Sequence, residues 1–255
     1  MKQTLSVLSL AVCAAASAQE TSPAPAPIAA AATDISLRGS MAWNGKNVFR
    51  GIERSDTDGL VQSALTIDYS PPGSAGLSLY ANFFNADGME RTFTFGARRD
   101  FAFGDVDVGV QRLTGRTIRT LAADGYIQIE SNPEFYIGAS YANANLTPSV
   151  YAYYSSELAQ FTTEIAGSKT VAGSLVGLAG FDVVIKLYGG LTAARASVHA
   201  GPNSYSYLGA SFDLTRQVAR GSEIGIGLNF ADNSDGQAQT SGSTVWTRVF
   251  ANLRF

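Results

Sequence analysis

The segment that decides the fold is residues 244–255, TVWTRVFANLRF. Its apolar and polar residues largely alternate, and the chain ends on an aromatic residue. One face carries Val245, Val249, Ala251, Leu253 and Phe255, and the other carries Arg248, Asn252 and Arg254. Because successive side chains of a β-strand point to opposite faces, this pattern predicts a strand with one apolar and one polar side.

The same period of two runs through the chain from about residue 35. In residues 223–231, large apolar residues at even positions alternate with Glu, Gly and Asn at odd positions. Residues 61–69, 181–188 and 207–214 repeat the pattern, and helical spacing of three and four is not sustained anywhere in this part. The sequence therefore predicts an all-β fold.

The length and composition of these strands favour a membrane barrel over a soluble sandwich. Many run about 9–11 residues, the length a tilted strand needs to cross a bilayer, whereas soluble strands average about 5–6. Their polar faces are rich in Gly, Ser, Thr and Tyr, as expected of a hydrated lumen. Aromatic residues recur at strand ends, where interfacial girdles lie: Tyr69, Phe83, Phe101, Tyr141, Tyr154 and Phe230. We predict a transmembrane antiparallel up-and-down β-barrel.

The strand count follows from parity, because single-chain bacterial barrels have an even number of strands and keep both termini in the periplasm. We predict twelve strands: 35–52, 60–70, 76–84, 91–101, 105–113, 134–141, 147–155, 159–169, 180–191, 205–214, 222–231 and 244–255. Short turns at 71–73 and 103–105 then face the periplasm, and longer polar loops face outward. If Asn44-Gly45 forms a hairpin turn, residues 126–130 become a strand and the count is fourteen.

The N-terminus has the pattern of an export signal. Lys2 supplies a positive start, an apolar run follows, and Ala16-Ser17-Ala18 is a small-residue cleavage site. We predict a signal peptide over 1–18, a Pro/Ala-rich linker over 19–33 and the barrel over 34–255. This pattern predicts export to the bacterial outer membrane.

Composition argues against several other functions. The net charge of −3, without a basic cluster, argues against a nucleic-acid partner. The only histidine, His199, lies in a turn-like segment that lacks the serine arrangement of a hydrolase, and the only cysteine, Cys13, lies in the predicted signal. No phosphate-binding loop, HExxH sequence or Cys/His cluster occurs. We predict no enzyme activity, no cofactor and no metal site.

A short stretch near the start of the barrel resembles a known family. Residues 46–52, KNVFRGI, are similar to the Tyr-x-Phe-Arg-Gly-Ile element in the first strand of the TorF-type porin family. The resemblance continues through residues 53–55, the strand of Gln62 and residues 79–82, although Asn47 stands where the family usually has Tyr. It implies an exported barrel with passive permeation across the outer membrane, and it names no substrate.

Two functions fit a barrel of this size. One is a porin through which small polar solutes or ions diffuse; the alternative is a structural or adhesive barrel with a plugged lumen. Twelve strands lie between filled barrels of about eight and open porins of about sixteen, and six inward tyrosines could narrow the lumen. Expected partners are outer-membrane lipid, lipopolysaccharide, periplasmic chaperones and the assembly machinery, for which Phe255 and Leu253 form the predicted assembly signal. The oligomeric state is left open.

Alternation also predicts which charged residues face the lumen. The pore-lining set is Arg38, Arg50, Asp68, Arg98, Asp107, Glu164, Lys186, Asp213 and Arg248. For Arg50 two interpretations stand: it projects into the pore mouth, or it pairs with a loop carboxylate while Gly51 bends the chain, and we favour the second. Eight inward acids against five inward bases predict a weak cation preference.

Overall fold

The computed structural model describes residues 35–53, 59–87, 90–115, 132–141, 146–157, 159–194, 204–234 and 242–255. The predicted signal peptide (1–18), the linker (19–33), the candidate strand 126–130 and His199 lie outside these residues. The described residues contain no helix that is long and apolar enough to cross a membrane.

Twelve antiparallel strands form a closed barrel, as predicted. Each strand pairs with its neighbours along the chain, and the first pairs with the last. The barrel strands are β1 (Ile35–Asn44), β4 (Leu60–Tyr69), β5 (Leu77–Ala86), β6 (Glu90–Phe101), β7 (Gly104–Gly115), β8 (Asn132–Ser140), β9 (Thr147–Ser155), β10 (Gln160–Ala172), β11 (Asp182–Ala194), β12 (Ser204–Ala219), β13 (Ser222–Asn233) and β14 (Thr244–Arg254). A short 3₁₀ turn, Gly173–Val176, follows β10.

The barrel closes along a seam between β1 and β14. Their register places Met41 beside Ala251 and Asn44 beside Arg248. The backbone N–H of Phe255 donates to the carbonyl oxygen of Leu37 at 2.9 Å, so the last residue is tied to the first strand. Closure removes both free edges of the barrel sheet, the edges that could otherwise pair with another chain.

Side-chain burial follows the alternation read from the sequence, with an apolar outside and a polar inside. On β13, Ile226 and Leu228 point outward and are exposed, whereas Asn229 points inward and is buried. On β10, the carboxylate-bearing Glu164 is buried in the lumen beside the exposed Ile165. A barrel built for water would carry the reverse distribution.

The two ends of the barrel differ in their connections. The end that carries the chain termini, here the terminal end, has mostly short links between strands, including the turns at 71–73 and 103–105, and one longer link at 173–181 that contains the 3₁₀ turn. The opposite end, here the loop end, receives the longer links at 45–59, 116–131, 195–203 and 234–243. This arrangement confirms the predicted assignment of short turns and long loops to opposite ends.

The predicted first strand, 35–52, is wrong in its second half. β1 ends at Asn44, and a separate two-stranded hairpin follows: β2 (Val48–Phe49) and β3 (Ile52–Glu53). At its tip Arg50 and Gly51 have φ of 50° and 76°, and positive φ at both central residues is what a type I′ turn requires. The chain reverses at this tip and does not extend the barrel wall.

Candidate functional site

The hairpin at residues 45–53, here the inner hairpin, lies inside the lumen near the loop end. Val48 is only 1% exposed and packs against Ala231 of β13 and Trp246 of β14, both inward-facing. From the tip, the Arg50 side chain reaches the other side of the lumen and contacts Glu134 of β8. The inner hairpin therefore crosses the barrel from the β13–β14 wall to the β8–β9 wall.

The tip is held by a buried ion pair. Arg50 Nη1 and Nη2 donate to Glu134 Oε1 and Oε2 at 2.8 and 2.9 Å, a bidentate arrangement. Gln111 Nε2 donates a further hydrogen bond to Glu134. The guanidinium carbon lies 4.6 Å from the ring centre of Tyr153 and 4.7 Å from that of Phe49. This geometry combines charge pairing with cation–π contacts to two rings.

Arg50 remains charged in this buried position. Burial disfavours the guanidinium, whereas the charge of Glu134 and its hydrogen bonds favour it, and together these effects raise the pKa of Arg50. Removing either partner would leave a buried unpaired charge, at a loss of about 3–5 kcal/mol.

Gly51 lets the tip approach the wall. A Cβ on this residue would lie 2.6 Å from Cβ of Tyr207 and 3.1 Å from the carbonyl oxygen of Asp232. The backbone oxygen of Gly51 accepts a hydrogen bond from Asn233 Nδ2 at 2.8 Å. Arg50 and Gly51 thus have distinct structural roles. The side chain of Arg50 spans the lumen, and the absence of a side chain at Gly51 lets the backbone pack against the wall of β12 and β13.

The structure supports the pairing interpretation of Arg50 and corrects the partner. The carboxylate is Glu134 on the barrel wall, not one from a loop. Alternation places Glu134 inward, but nothing local in the sequence links it to an arginine that precedes it by 84 positions. Glu134, Gln111 and Asn233 are the site residues that the pore-lining prediction omitted.

The inward tyrosines lie over glycines of neighbouring strands. In five cases the strand register sets a tyrosine directly beside an inward glycine: Tyr80 with Gly96, Tyr136 with Gly109, Tyr151 with Gly138, Tyr188 with Gly209, and Tyr207 with Gly190. A Cβ on any of these glycines would lie 2.6 Å or less from the paired tyrosine. The rings therefore cover the wall, and the inner hairpin is what crosses the lumen.

The predicted pore-lining residues point into the lumen, and most form ion pairs there. Three arginines pair with acids inside the lumen. Arg38 pairs with Asp68 at 2.7 Å and Arg98 with Asp107 at 3.4 Å on neighbouring strands, whereas Arg248 of β14 reaches across β13 to Asp213 of β12 at 2.8 Å. Asp107 also accepts hydrogen bonds from the hydroxyls of Tyr80 and Tyr151.

The two remaining predicted residues, Glu164 and Lys186, also lie on inward positions of their strands. Glu164 accepts a hydrogen bond from the hydroxyl of Tyr207. Lys186 lies on β11 between Ser168 and Ser211 of the flanking strands. Whether solute contacts any member of the predicted set stays a prediction.

Exposure of the charged side chains changes along the lumen. At the inner hairpin, the side chains of Arg50 and Glu134 are 5% and 2% exposed. Toward the terminal end, those of Arg38 and Arg98 are 19% and 21% exposed. Among the described residues, the Arg50–Glu134 pair is therefore the most enclosed ion pair of the lumen.

Comparison with solved structures finds similar barrels. The NanC porin is 9% identical over 87% of this chain and 100% of its own, with a TM-score of 0.48. The KdgM porin is 10% identical over 86% of this chain and 99% of its own, with a TM-score of 0.48. OccAB3 of Acinetobacter baumannii is 12% identical over 87% of this chain, with a TM-score of 0.41, and the chain spans 65% of its length.

No protein-family model matches this sequence, and no curated protein matches it. The resemblance of residues 46–52 to the TorF-type porin family stays a prediction. At these low identities, function must be inferred from the residues of the barrel itself.

Proposed function

We propose that this protein is a channel of the bacterial outer membrane through which small polar solutes diffuse passively. The observation that carries the proposal is the distribution of side chains, apolar outside and charged inside a closed barrel. In that membrane its expected partners are lipid, lipopolysaccharide and the assembly machinery.

The outer wall suits a lipid environment. Closed antiparallel pairing satisfies the strand backbone within the sheet, which is what a bilayer core demands. Large outward residues such as Met41, Phe95, Ile137 and Ile226 are more than half exposed in the isolated chain. Lipid around these positions would remove that apolar surface from water.

The lumen suits water and small solutes. Three Arg–Asp pairs line it, with arginine side chains that are 19–21% exposed, and charged side chains are costly in a dry interior. The tyrosine rings lie over wall glycines and leave the axis to the inner hairpin. Passage past the inner hairpin would therefore limit the channel to small solutes.

The charges inside favour a weak cation preference as a finer part of the proposal. In the structure, Arg50 adds a sixth base to the five predicted inward bases, and Glu90, buried on β6, adds a ninth acid to the eight predicted ones. Four of the arginines are paired with acids, which weakens the net field. Charged groups that line a pore bias ion entry.

Single-channel recording in planar bilayers tests the proposal. Wild-type protein should give small current steps, and a variant with residues 46–58 replaced by a short Gly-Ser linker should give larger ones. Steps only in the shortened variant would favour the plugged barrel, and no steps in either would overturn the channel. Glu157→Gln, an exposed site at the loop end, is the matched control.

A further inference from the structure

Arg50 contacts the barrel wall as a ligand contacts a binding site. Only the guanidinium and the Phe49 ring come from the inner hairpin. The wall supplies the carboxylate of Glu134, the amide of Gln111 that donates to it, and the ring face of Tyr153. These three residues, here the wall site, lie on the neighbouring strands β7, β8 and β9.

We propose that the wall site binds the guanidinium group of a solute entering the lumen, and that Arg50 fills the site when no solute does. The proposal rests on the channel function above and names its substrate class: small solutes with a guanidinium group, of which free arginine is the simplest probe. Solute binding would displace Arg50 and release the inner hairpin from the wall.

The chemistry of the wall site selects a planar cation. The carboxylate of Glu134 takes both terminal nitrogens of a guanidinium, a fork that an ammonium group cannot match. The Tyr153 ring attracts the positive face from one side. A second buried carboxylate, Glu164, lies on the strand next to Tyr153 and adds negative charge to this part of the lumen.

Arg50 is an imperfect occupant, which permits exchange. Within the described part of the chain, its buried Nε has no hydrogen-bond partner. Its φ of 50° belongs to the left-handed region that non-glycine residues rarely adopt. Only two residue pairs hold β2 to β3. A free solute that binds the wall site would avoid the strained backbone of this tip.

Because Arg50 is attached to the inner hairpin, a free solute must reach a certain concentration before it can compete with Arg50 for the wall site. A group on a short flexible tether has an effective concentration of about millimolar. The inner hairpin is also docked through Val48 and Gly51, so free arginine should compete only at millimolar levels or above. Arg50→Gly removes the tethered competitor and retains a turn residue that tolerates positive φ. The half-saturating arginine concentration should fall by about tenfold or more in this variant.

Tryptophan fluorescence reports displacement separately from conduction. The chain has two tryptophans, and Trp246 packs on Val48 of the inner hairpin. In a Trp43→Phe background, arginine should change the emission of Trp246, because freeing Arg50 from Glu134 loosens the hairpin that holds Val48 on Trp246. Citrulline, which has the same shape without the charge, should leave the emission unchanged.

Equilibrium dialysis of folded barrels with arginine and citrulline completes the test. Glu134→Gln should abolish the preference for arginine, and Glu157→Gln should retain it. If Glu134→Gln fails to fold, Arg50→Gly/Glu134→Gln removes both charges and must also lack the preference. Equal binding of arginine and citrulline by Arg50→Gly would overturn the wall site, even if current steps uphold the channel. Absent steps in every variant would instead overturn the channel itself.

Discussion

The contact between Tyr188 and Gly209 allows a quantitative test of how the tyrosines line the lumen. A Cβ on Gly209 would lie 2.2 Å from Cζ of Tyr188 and 2.5 Å from its Cε1 and hydroxyl oxygen. The ring therefore has to leave its place in Gly209→Ala. We expect it to swing toward the axis, because the paired strand blocks movement toward the wall.

The free-energy change follows from two opposing effects. Overpacking of this kind costs about 1–3 kcal/mol. In Tyr188→Ala the ring is absent, and the added methyl of Gly209→Ala should stabilise by about 0.5–1 kcal/mol, because glycine is unfavourable inside a strand. The difference gives a coupling energy of about 1.5–4 kcal/mol between the two substitutions.

Urea unfolding of the wild type, both single variants and the double variant in lipid vesicles measures that coupling. Folded barrel is scored by its heat-modifiable gel shift. Gly39→Ala is the matched control, because its Cβ would lie no closer than 3.9 Å to any atom. Additive effects, within about 0.5 kcal/mol, would refute the contact. Unchanged conductance in Gly209→Ala would refute movement of the ring toward the axis.

Three further outcomes are expected. Ile226→Arg, on the exposed outer wall, should lower the free energy of unfolding in vesicles by about 2–4 kcal/mol. Asn252→Arg, on the lumen side near the terminal end, should lower it much less. Equal losses would contradict the assignment of Ile226 to the lipid-facing side. Deletion of Phe255 should lower the yield of heat-modifiable barrel in membrane fractions, and a wild-type yield would count against the assembly signal. Under a KCl gradient the reversal potential should show a weak cation preference that fades at 1 M salt, where the Debye length is about 3 Å. A reversal potential of the sign expected for an anion-selective channel would contradict the excess of acids assigned to the lumen.

The barrel was predictable because strand periodicity is a local property. Residues 223–231 carry their apolar side chains at every second position, and the structure exposes that face along β13. Parity and the lengths of the connections then set twelve strands and the two ends. No contact between distant residues entered that inference.

The inner hairpin was not predictable in this way. Residues 45–52 extend the alternation of β1 well enough to suggest one long strand. The turn is held by hydrogen bonds of Arg50 with Glu134 and of Gly51 with Asn233, which join residues 84 and 182 positions apart in the chain. Such pairings depend on the closed barrel, which a local pattern does not contain.

The alternation of apolar and polar residues also does not show which neighbouring side chain contacts each inward residue. It correctly places Gly227 in the lumen, but a Cβ there would lie 2.0 Å from Oδ1 of Asp213. In the same way, alternation predicted that the tyrosines point inward, but it did not show that most of them lie over a glycine. Which neighbour fills a position depends on strand register, and register is set by pairing across strands.

The position of the inner hairpin beside the seam orders events during biogenesis. The N–H of Gly45 donates to the carbonyl oxygen of Thr247 at 2.8 Å, and Val48 packs on Trp246, so the hairpin depends on β14. Its docking surface is complete only when β14 has joined the sheet beside β13 and β1. Docking of the inner hairpin therefore accompanies or follows closure of the seam between β1 and β14, so an open intermediate of the barrel would lack this internal support.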